Sequence, residues 1–116
     1  MTQNAGNQAL AGQMQDCIND CLNCHNVCFD MATQALQKDA NNVNYINTLQ
    51  DCAEICLTSA HFMLRSSALY GYTCQACAKI CTHCEEMCNQ QGDTDCANAC
   101  RACANSCQQM VKMLAI

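Results

Sequence analysis

Fifteen cysteines in 116 residues dominate the chemistry open to this chain. They form four groups: Cys17, Cys21, Cys24 and Cys28; Cys52 and Cys56; Cys74, Cys77, Cys81, Cys84 and Cys88; Cys96, Cys100, Cys103 and Cys107. Within each group the steps are three and four residues, and no cysteine lies outside a group. Such steps place side chains on one stripe of an α-helix, the seam that faces its partners in a bundle. The stripes also continue past the thiols. Leu10, Met14, Met31 and Ala35 extend the first, and Tyr45, Leu49, Ser59 and Met63 the second. Tyr70 precedes the third, and Met110 and Leu114 follow the fourth. Four separate segments thus put thiols where a bundle puts its core.

Free Cys is a small hydrophobe that often packs in cores. Fifteen on one seam, in place of Leu or Ile, would fill too little volume to serve packing alone. Disulfides fit poorly, because helix neighbours at three and four residues have Cβ atoms about 5–6 Å apart and a disulfide wants about 3.5–4.5 Å. The number of thiols is also odd. Cys21-Leu-Asn-Cys24, Cys74-Gln-Ala-Cys77, Cys81-Thr-His-Cys84 and Cys100-Arg-Ala-Cys103 match the C-x-x-C pattern. A thioredoxin-type reading, however, needs an exposed low-pKa thiol at a helix N-terminus in a βαβ setting. An iron–sulfur electron carrier is a further alternative, but its cysteines usually come in loops that wrap the cluster, with a C-x2-C-x2-C-x3-C-P run. This chain has no Pro.

Two thiophilic ions remain. Zinc held by four thiolates leaves about −2 per site, and burying such charge without cations is costly. Lys38, Arg65, Lys79, Arg101 and Lys112 are the only Lys and Arg, and none is on the stripe. Cu(I) is soft, and thiolates select it. One Cu(I) per thiolate leaves the core neutral. With bonds of about 2.3 Å, as for zinc, a linear S–Cu–S unit spans about 4.6 Å, so two thiols one turn apart on one helix are expected to match it. Many such ions in a tube amount to storage without catalysis. Binding or detoxification of another thiophilic metal such as zinc is the alternative.

The elements that must carry the thiols are helices. Ala, Gln, Met and Leu are frequent and favour helix, and the chain holds only three Val and 4% aromatic residues against a strand reading. Breaks fall at Lys38-Asp39-Ala40-Asn41-Asn42, where Asn41 or Asn42 can cap a following helix, at Ser66-Ser67 through Tyr70-Gly71, and at Gln90-Gln91-Gly92-Asp93-Thr94. Gly92 suits a helix C′ position, and Asp93 or Thr94 the next N-cap. Helices are predicted near 8–38, 42–66, 71–90 and 94–114. Short links favour antiparallel neighbours. The expected fold is all-α, an antiparallel up-down-up-down four-helix bundle with a cysteine-lined core, in one domain covering residues 1–116.

Composition narrows the function classes. Leu, Ile, Val and Phe together stay below the rough 20% at which a polar chain may fail to fold, so the cysteines, or what binds them, must be the core. The formal net charge of −5 argues against nucleic acid as a partner. No apolar run approaches the roughly 18 residues of a membrane span, and the first 15 residues lack an export signal. The expected location is cytoplasmic, where thiols stay reduced. A mature exported form given a new Met1 would read the same.

In order and spacing, Cys17-x3-Cys21-x2-Cys24-x3-Cys28, Asp51-Cys-Ala-Glu-Ile-Cys56, Cys74-x2-Cys77-x3-Cys81-x2-Cys84-x3-Cys88 and Asp95-Cys96-x3-Cys100-x2-Cys103-x3-Cys107 resemble the four-helix-bundle copper storage proteins. The resemblance covers roughly residues 14–108. It implies multiple Cu(I) ions, about one per Cys, held by the seam thiolates, and assembly into a homotetramer. The family has cytosolic and exported members, and a chain without a signal resembles the cytosolic kind. A copper chaperone or acceptor protein is an expected partner. Exported members carry a Met just past a Cys-Phe-acidic run at the mouth, and Cys28-Phe29-Asp30-Met31 is similar, which makes Met31 a candidate ligand. That end should gather Met31, Tyr45, Leu49, Cys88 and Cys96. The other should gather Leu10, Met14, Ser59, Met63, Cys74, Met110 and Leu114, as a plug or as a thioether cluster of Met14, Met63 and Met110. His25 flanks the seam, while His61 and His83 should face outward.

Overall fold

Helix begins almost at once and is interrupted only three times. The computed structural model describes the backbone of residues 2–114 and the side chains of residues 9–114. Its elements are α1 (Thr2–Lys38), α2 (Val43–Leu64), α3 (Tyr70–Gln91) and α4 (Thr94–Met113). Each packs on its neighbour in sequence, and α4 closes the ring on α1. This is the expected four-helix bundle. Its longest dimension is 56 Å, close to the length of α1 alone at about 1.5 Å per residue. α1 therefore outruns its partners. It starts before the expected residue 8 because nothing in this stretch stops a helix. Gly12 sits inside α1 with open space around its α-carbon.

The three breaks have specific causes. After Lys38, the Asp39 carboxylate accepts the Asn41 N–H at 3.0 Å and the Asp39 carbonyl accepts the Asn42 N–H at 3.1 Å, turning the chain. α2 stops at Leu64, short of the expected 66, because Ser66 adopts a left-handed φ of 54°. The Ser66 N–H then reaches the Met63 carbonyl at 3.0 Å, and the Ser67 N–H the Phe62 carbonyl at 2.9 Å. This double bond satisfies carbonyls that the helix end leaves free. Gly92 repeats the arrangement at φ 77°, with the Gly92 N–H on the Asn89 carbonyl at 3.1 Å and the Asp93 N–H on the Cys88 carbonyl at 2.9 Å.

Asn42 and Asp93 both occupy N-cap positions, yet neither side chain caps its helix. Asn42 donates to the Gln91 side chain at 3.2 Å, and Asp93 accepts a short hydrogen bond from the Tyr45 hydroxyl. Both side chains tie the α1–α2 and α3–α4 turns together at one end of the bundle.

Polar links also join every pair of neighbouring helices. His25 Nδ1 donates to the Ala53 carbonyl at 2.8 Å between α1 and α2. The Ser59 and Thr73 hydroxyls lie 3.4 Å apart between α2 and α3. Arg101 donates to Glu85 at 2.7 Å between α4 and α3, and the Ser106 hydroxyl donates to Asp20 between α4 and α1. Beside the seam, Ala32, Ala35, Ala53, Ala60, Ala78, Ala97, Ala99 and Ala104 are buried. Small residues at a helix contact allow close approach of the axes, and the thiols are drawn together as a result.

Two glycine substitutions should act with opposite signs. Gly92→Ala forces an alanine into a left-handed conformation and should lower the stability of the reduced protein by about 1–2 kcal/mol. Gly12→Ala, in an exposed helix interior, should raise it by about 0.5–1 kcal/mol. Urea unfolding under reducing conditions, read by helical circular dichroism, checks both.

Candidate metal centre

All fifteen cysteines are fully buried, each at 0% exposure, and all are free thiols. They form one continuous column. Near the α1–α2 turn, Cys28 Sγ lies 3.6 Å from both Cys96 and Cys100. Cys24 then meets Cys52 and Cys100 at 3.9 Å. Further along, Cys56 meets Cys81 at 3.5 Å, Cys103 at 3.7 Å and Cys77 at 3.8 Å. Cys21 lies 3.6 Å from Cys103 and 3.8 Å from Cys107, and Cys17 lies 3.7 Å from Cys107.

The spacing differs from the expectation of ions held along single helices. Among the described close pairs, only Cys24–Cys28 at 3.8 Å and Cys77–Cys81 at 3.7 Å share a helix. The rest cross between helices. The reason is that the stripes of all four helices face the bundle axis, so most near sulfurs belong to other helices. Distances of 3.5–3.9 Å are also shorter than the span of about 4.6 Å for a linear unit. They approach the sulfur–sulfur edge of about 4.0 Å for an ion shared by three sulfurs at bonds of about 2.3 Å.

Sets of four thiols converge within 4.8 Å of one another: Cys21, Cys77, Cys103 and Cys107; Cys24, Cys52, Cys56 and Cys81; Cys24, Cys28, Cys52 and Cys100; Cys56, Cys77, Cys81 and Cys103. Cys17, Cys74 and Cys107 make a three-thiol set. The sets share members. Cys24 and Cys52 serve two, as do Cys77 and Cys103, so isolated tetrahedral sites compete for the same sulfurs. A thiolate shared between neighbouring ions removes that conflict.

Thiols this close compete for protons. The Cys100 and Cys28 thiols that hydrogen-bond to Cys96 pull it down to about 5, against the effect of burial. Cys74 is pulled down to about 4, first by Cys107 and then by Cys17. Cys100 is pushed up, because it shares its proton with Cys24, Cys28, Cys52 and Cys84 and is buried among them. No cation offsets a thiolate here: Lys38, Arg65, Lys79, Arg101 and Lys112 are all exposed.

The two ends of the column differ. At one end the Tyr45 hydroxyl, itself buried, lies between Asp93 and the Cys88 sulfur, 3.6 Å from the latter. Half-buried Met31 lines a cavity of about 250 Å³ here together with Tyr45, Asp93 and Gln91. At the other end Ser59 Oγ is 3.5 Å from Cys74 Sγ, and Met63 Sδ is 3.9 Å from it. Met110 is fully buried, while Leu10, Met14 and Leu114 pack against the core only partly buried. His25 is committed to the Ala53 carbonyl and stacks at a tilt near Phe29, with ring centroids 6.1 Å apart. His61 and His83 are exposed, as their positions off the stripe predict. The part of Asp93 at the Tyr45 end carries no sequence signal, since a helix N-cap is the ordinary use of an Asp there.

A helical bundle with a thiol interior of this kind is a container for soft metal ions. The sequence model of the copper storage protein family matches residues 10–112, and the chain belongs to that family. A protein from Nitrosospira multiformis, Nmul_A1745, is 34% identical, with 89% of this chain and 98% of that one covered and a TM-score of 0.84. A histidine-to-alanine variant of Streptomyces lividans Ccsp is 30% identical over 90% of this chain and 96% of its own, with a TM-score of 0.83. A cytosolic copper storage protein from Streptomyces lividans, described with five coppers loaded, is 28% identical over 90% and 97%, with a TM-score of 0.85. A search of curated protein sequences gave no match.

A sealed column predicts a definite thiol reactivity. The reduced native protein should react with a bulky aromatic disulfide reagent only as fast as the bundle opens, and all 15 thiols should react at once in denaturant. Rapid modification of several thiols in the native state would contradict the burial described here.

Proposed function

We propose that this chain stores and buffers Cu(I), with each of its fifteen Cys thiolates a ligand and about one ion bound per thiolate. The observation that carries this reading is a continuous column of buried thiols with no cation beside it. Each Cu(I) that enters displaces one thiol proton, so the charge of the interior is unchanged as it fills. Sulfur separations of 3.5–3.9 Å support ions bridged by thiolates from facing helices. Zinc is the weaker reading. A tetrathiolate zinc carries about −2, and the overlapping thiol sets cannot all close around separate ions. The reading includes no catalysis, because the ligands are enclosed and every one is of the same kind.

In this reading copper is admitted at the Met31 end. Met31 and Tyr45 line a cavity, the Tyr45 hydroxyl touches the Cys88 sulfur at 3.6 Å, and a half-exposed thioether suits a first, exchangeable contact for a soft ion. A copper chaperone or acceptor protein would meet that end. The protein is read as cytosolic: its Streptomyces relative is described so, and among the described residues no helix is long and apolar enough to cross a membrane. A homotetramer fits the resemblance, with exposed Phe29 and Leu36 on α1 and Val43 on α2 as apolar surface available for packing.

The test is an anaerobic Cu(I) titration of fully reduced protein against a coloured Cu(I) chelator. Saturation should come near fifteen ions per chain, one per Cys, without visible colour. Binding of two or fewer would end the storage reading, and strong visible absorption of the purified protein would favour an iron–sulfur cluster. Zinc should saturate at far fewer ions. Met31→Leu should slow loading from the chelator and leave the saturation value unchanged; an unaltered rate would remove Met31 from the mouth.

A further inference from the structure

We propose that Met63 is a sixteenth sulfur ligand, forming with Cys74 a mixed thiolate–thioether Cu(I) site that closes the column at the α2–α3 end. The proposal rests on the storage reading above and assigns one ion within it. Met63 and Cys74 make the one thiol–thioether hydrogen bond among the described residues, at 3.9 Å between sulfurs. Met63 is 1% exposed and Cys74 fully buried, so the thioether is already ordered against the thiol and gives up little further rotamer freedom on binding.

Cys74 needs such a partner. It is the last thiol of the column at this end, and its hydrogen-bond neighbours are Ser59 Oγ at 3.5 Å and Met63 Sδ at 3.9 Å. The next sulfurs, Cys17 and Cys107, lie within 4.8 Å. Of the two near groups only the thioether is soft, and thiolates and thioethers together select Cu(I). The hydroxyl of Ser59 is hard, and its one proton goes to the Thr73 hydroxyl at 3.4 Å. The sulfur separation fits an ion bound at a bend between Cys74 and Met63, with Cys17 or Cys107, each matched by an ion of its own, able to bridge to a third position. Binding displaces one proton from the hydrogen-bonded thiols that Cys74 shares with Cys17 and Cys107, releases it to solvent and oxidises nothing.

Charge favours the same assignment. A thiolate, a thioether and one Cu(I) sum to zero, whereas a second thiolate in place of Met63 would leave a buried negative charge with no cation near it. At the opposite end, among the described residues, no thioether is hydrogen-bonded to a thiol. There Cys88 faces the Tyr45 hydroxyl, which is engaged with Asp93. Oxygen donors close that end, and sulfur donors close this one.

The experiment uses full-length protein labelled with 13C at the methionine methyls, followed by NMR during anaerobic Cu(I) loading. The Met63 signal is assigned by its absence from Met63→Leu. It should move on loading and stay moved at saturation, while exposed Met113 stays in place. In parallel, loaded proteins are challenged with a Cu(I) chelator. Met63→Leu should give up one Cu(I) per chain at a chelator concentration that leaves the parent protein and Met110→Leu fully loaded. Met110 is equally buried, so the pair separates loss of a ligand from loss of packing; Leu for Met is among the best tolerated core exchanges. An unmoved Met63 signal, or equal retention by Met63→Leu, overturns the proposal while the parent still binds near one ion per Cys. Failure of the parent protein to bind more than two ions overturns the storage reading itself.

Discussion

A buried thiolate without a neighbouring cation is a charge out of water, and the whole molecule is arranged around that fact. Every Lys and Arg lies on the exposed surface, and Arg101 is already paired with Glu85. The interior can therefore hold its fifteen sulfurs in two states only. Either protons shared among neighbouring thiols hold the charge down, or each thiolate is matched by a monovalent cation. Exchange of H⁺ for Cu⁺ moves between these states one for one, so the electrostatic cost of the interior stays level as it fills. A divalent ion shifts the balance with every site, because its ligands release more protons than its charge replaces. The geometry and the charge rule select the same ion.

The column also requires that four helices agree in axial position to within a fraction of a turn. Thiol–thiol contacts are weak, and the core has few large apolar side chains to set a register. Tyr45, Leu49, Met63 and Met110 supply the largest of the fully or nearly fully buried volumes, and each lies outside the thiols of its own helix. Register is also set by polar links between neighbouring helices: His25 to Ala53, Ser59 to Thr73, Arg101 to Glu85 and Ser106 to Asp20. Buried alanines bring the axes close enough for facing sulfurs to lie within 4 Å. A bundle with Leu at the same places would be better filled, and it would have no room for ions.

The ends complete the device with different chemistry. One is closed by oxygen, through Tyr45 and Asp93, beside a cavity lined by Met31. The other is closed by sulfur and by apolar side chains around Cys74. A half-exposed thioether beside a hydroxyl–carboxylate pair at one end and a buried thioether at the other give a tube of like sites a direction.

Much of this is legible in the residue order alone. Steps of three and four in four segments, an absence of Pro and three short polar breaks specify four helices with their thiols inward, and the copper chemistry follows from softness and charge. Period tells which way a side chain points around its own helix. It does not tell which residue on another helix lies opposite, since that depends on the axial shift and rotation of each helix against its neighbours. Only the tertiary structure sets Cys28 beside Cys96, 68 residues away, and shows the close sulfur pairs running across helices instead of along them. It alone brings Met63 against Cys74, turns His25 to the Ala53 carbonyl, and draws the Asp93 carboxylate from its helix cap to Tyr45. Those choices were settled by packing between distant segments, which no local pattern encodes.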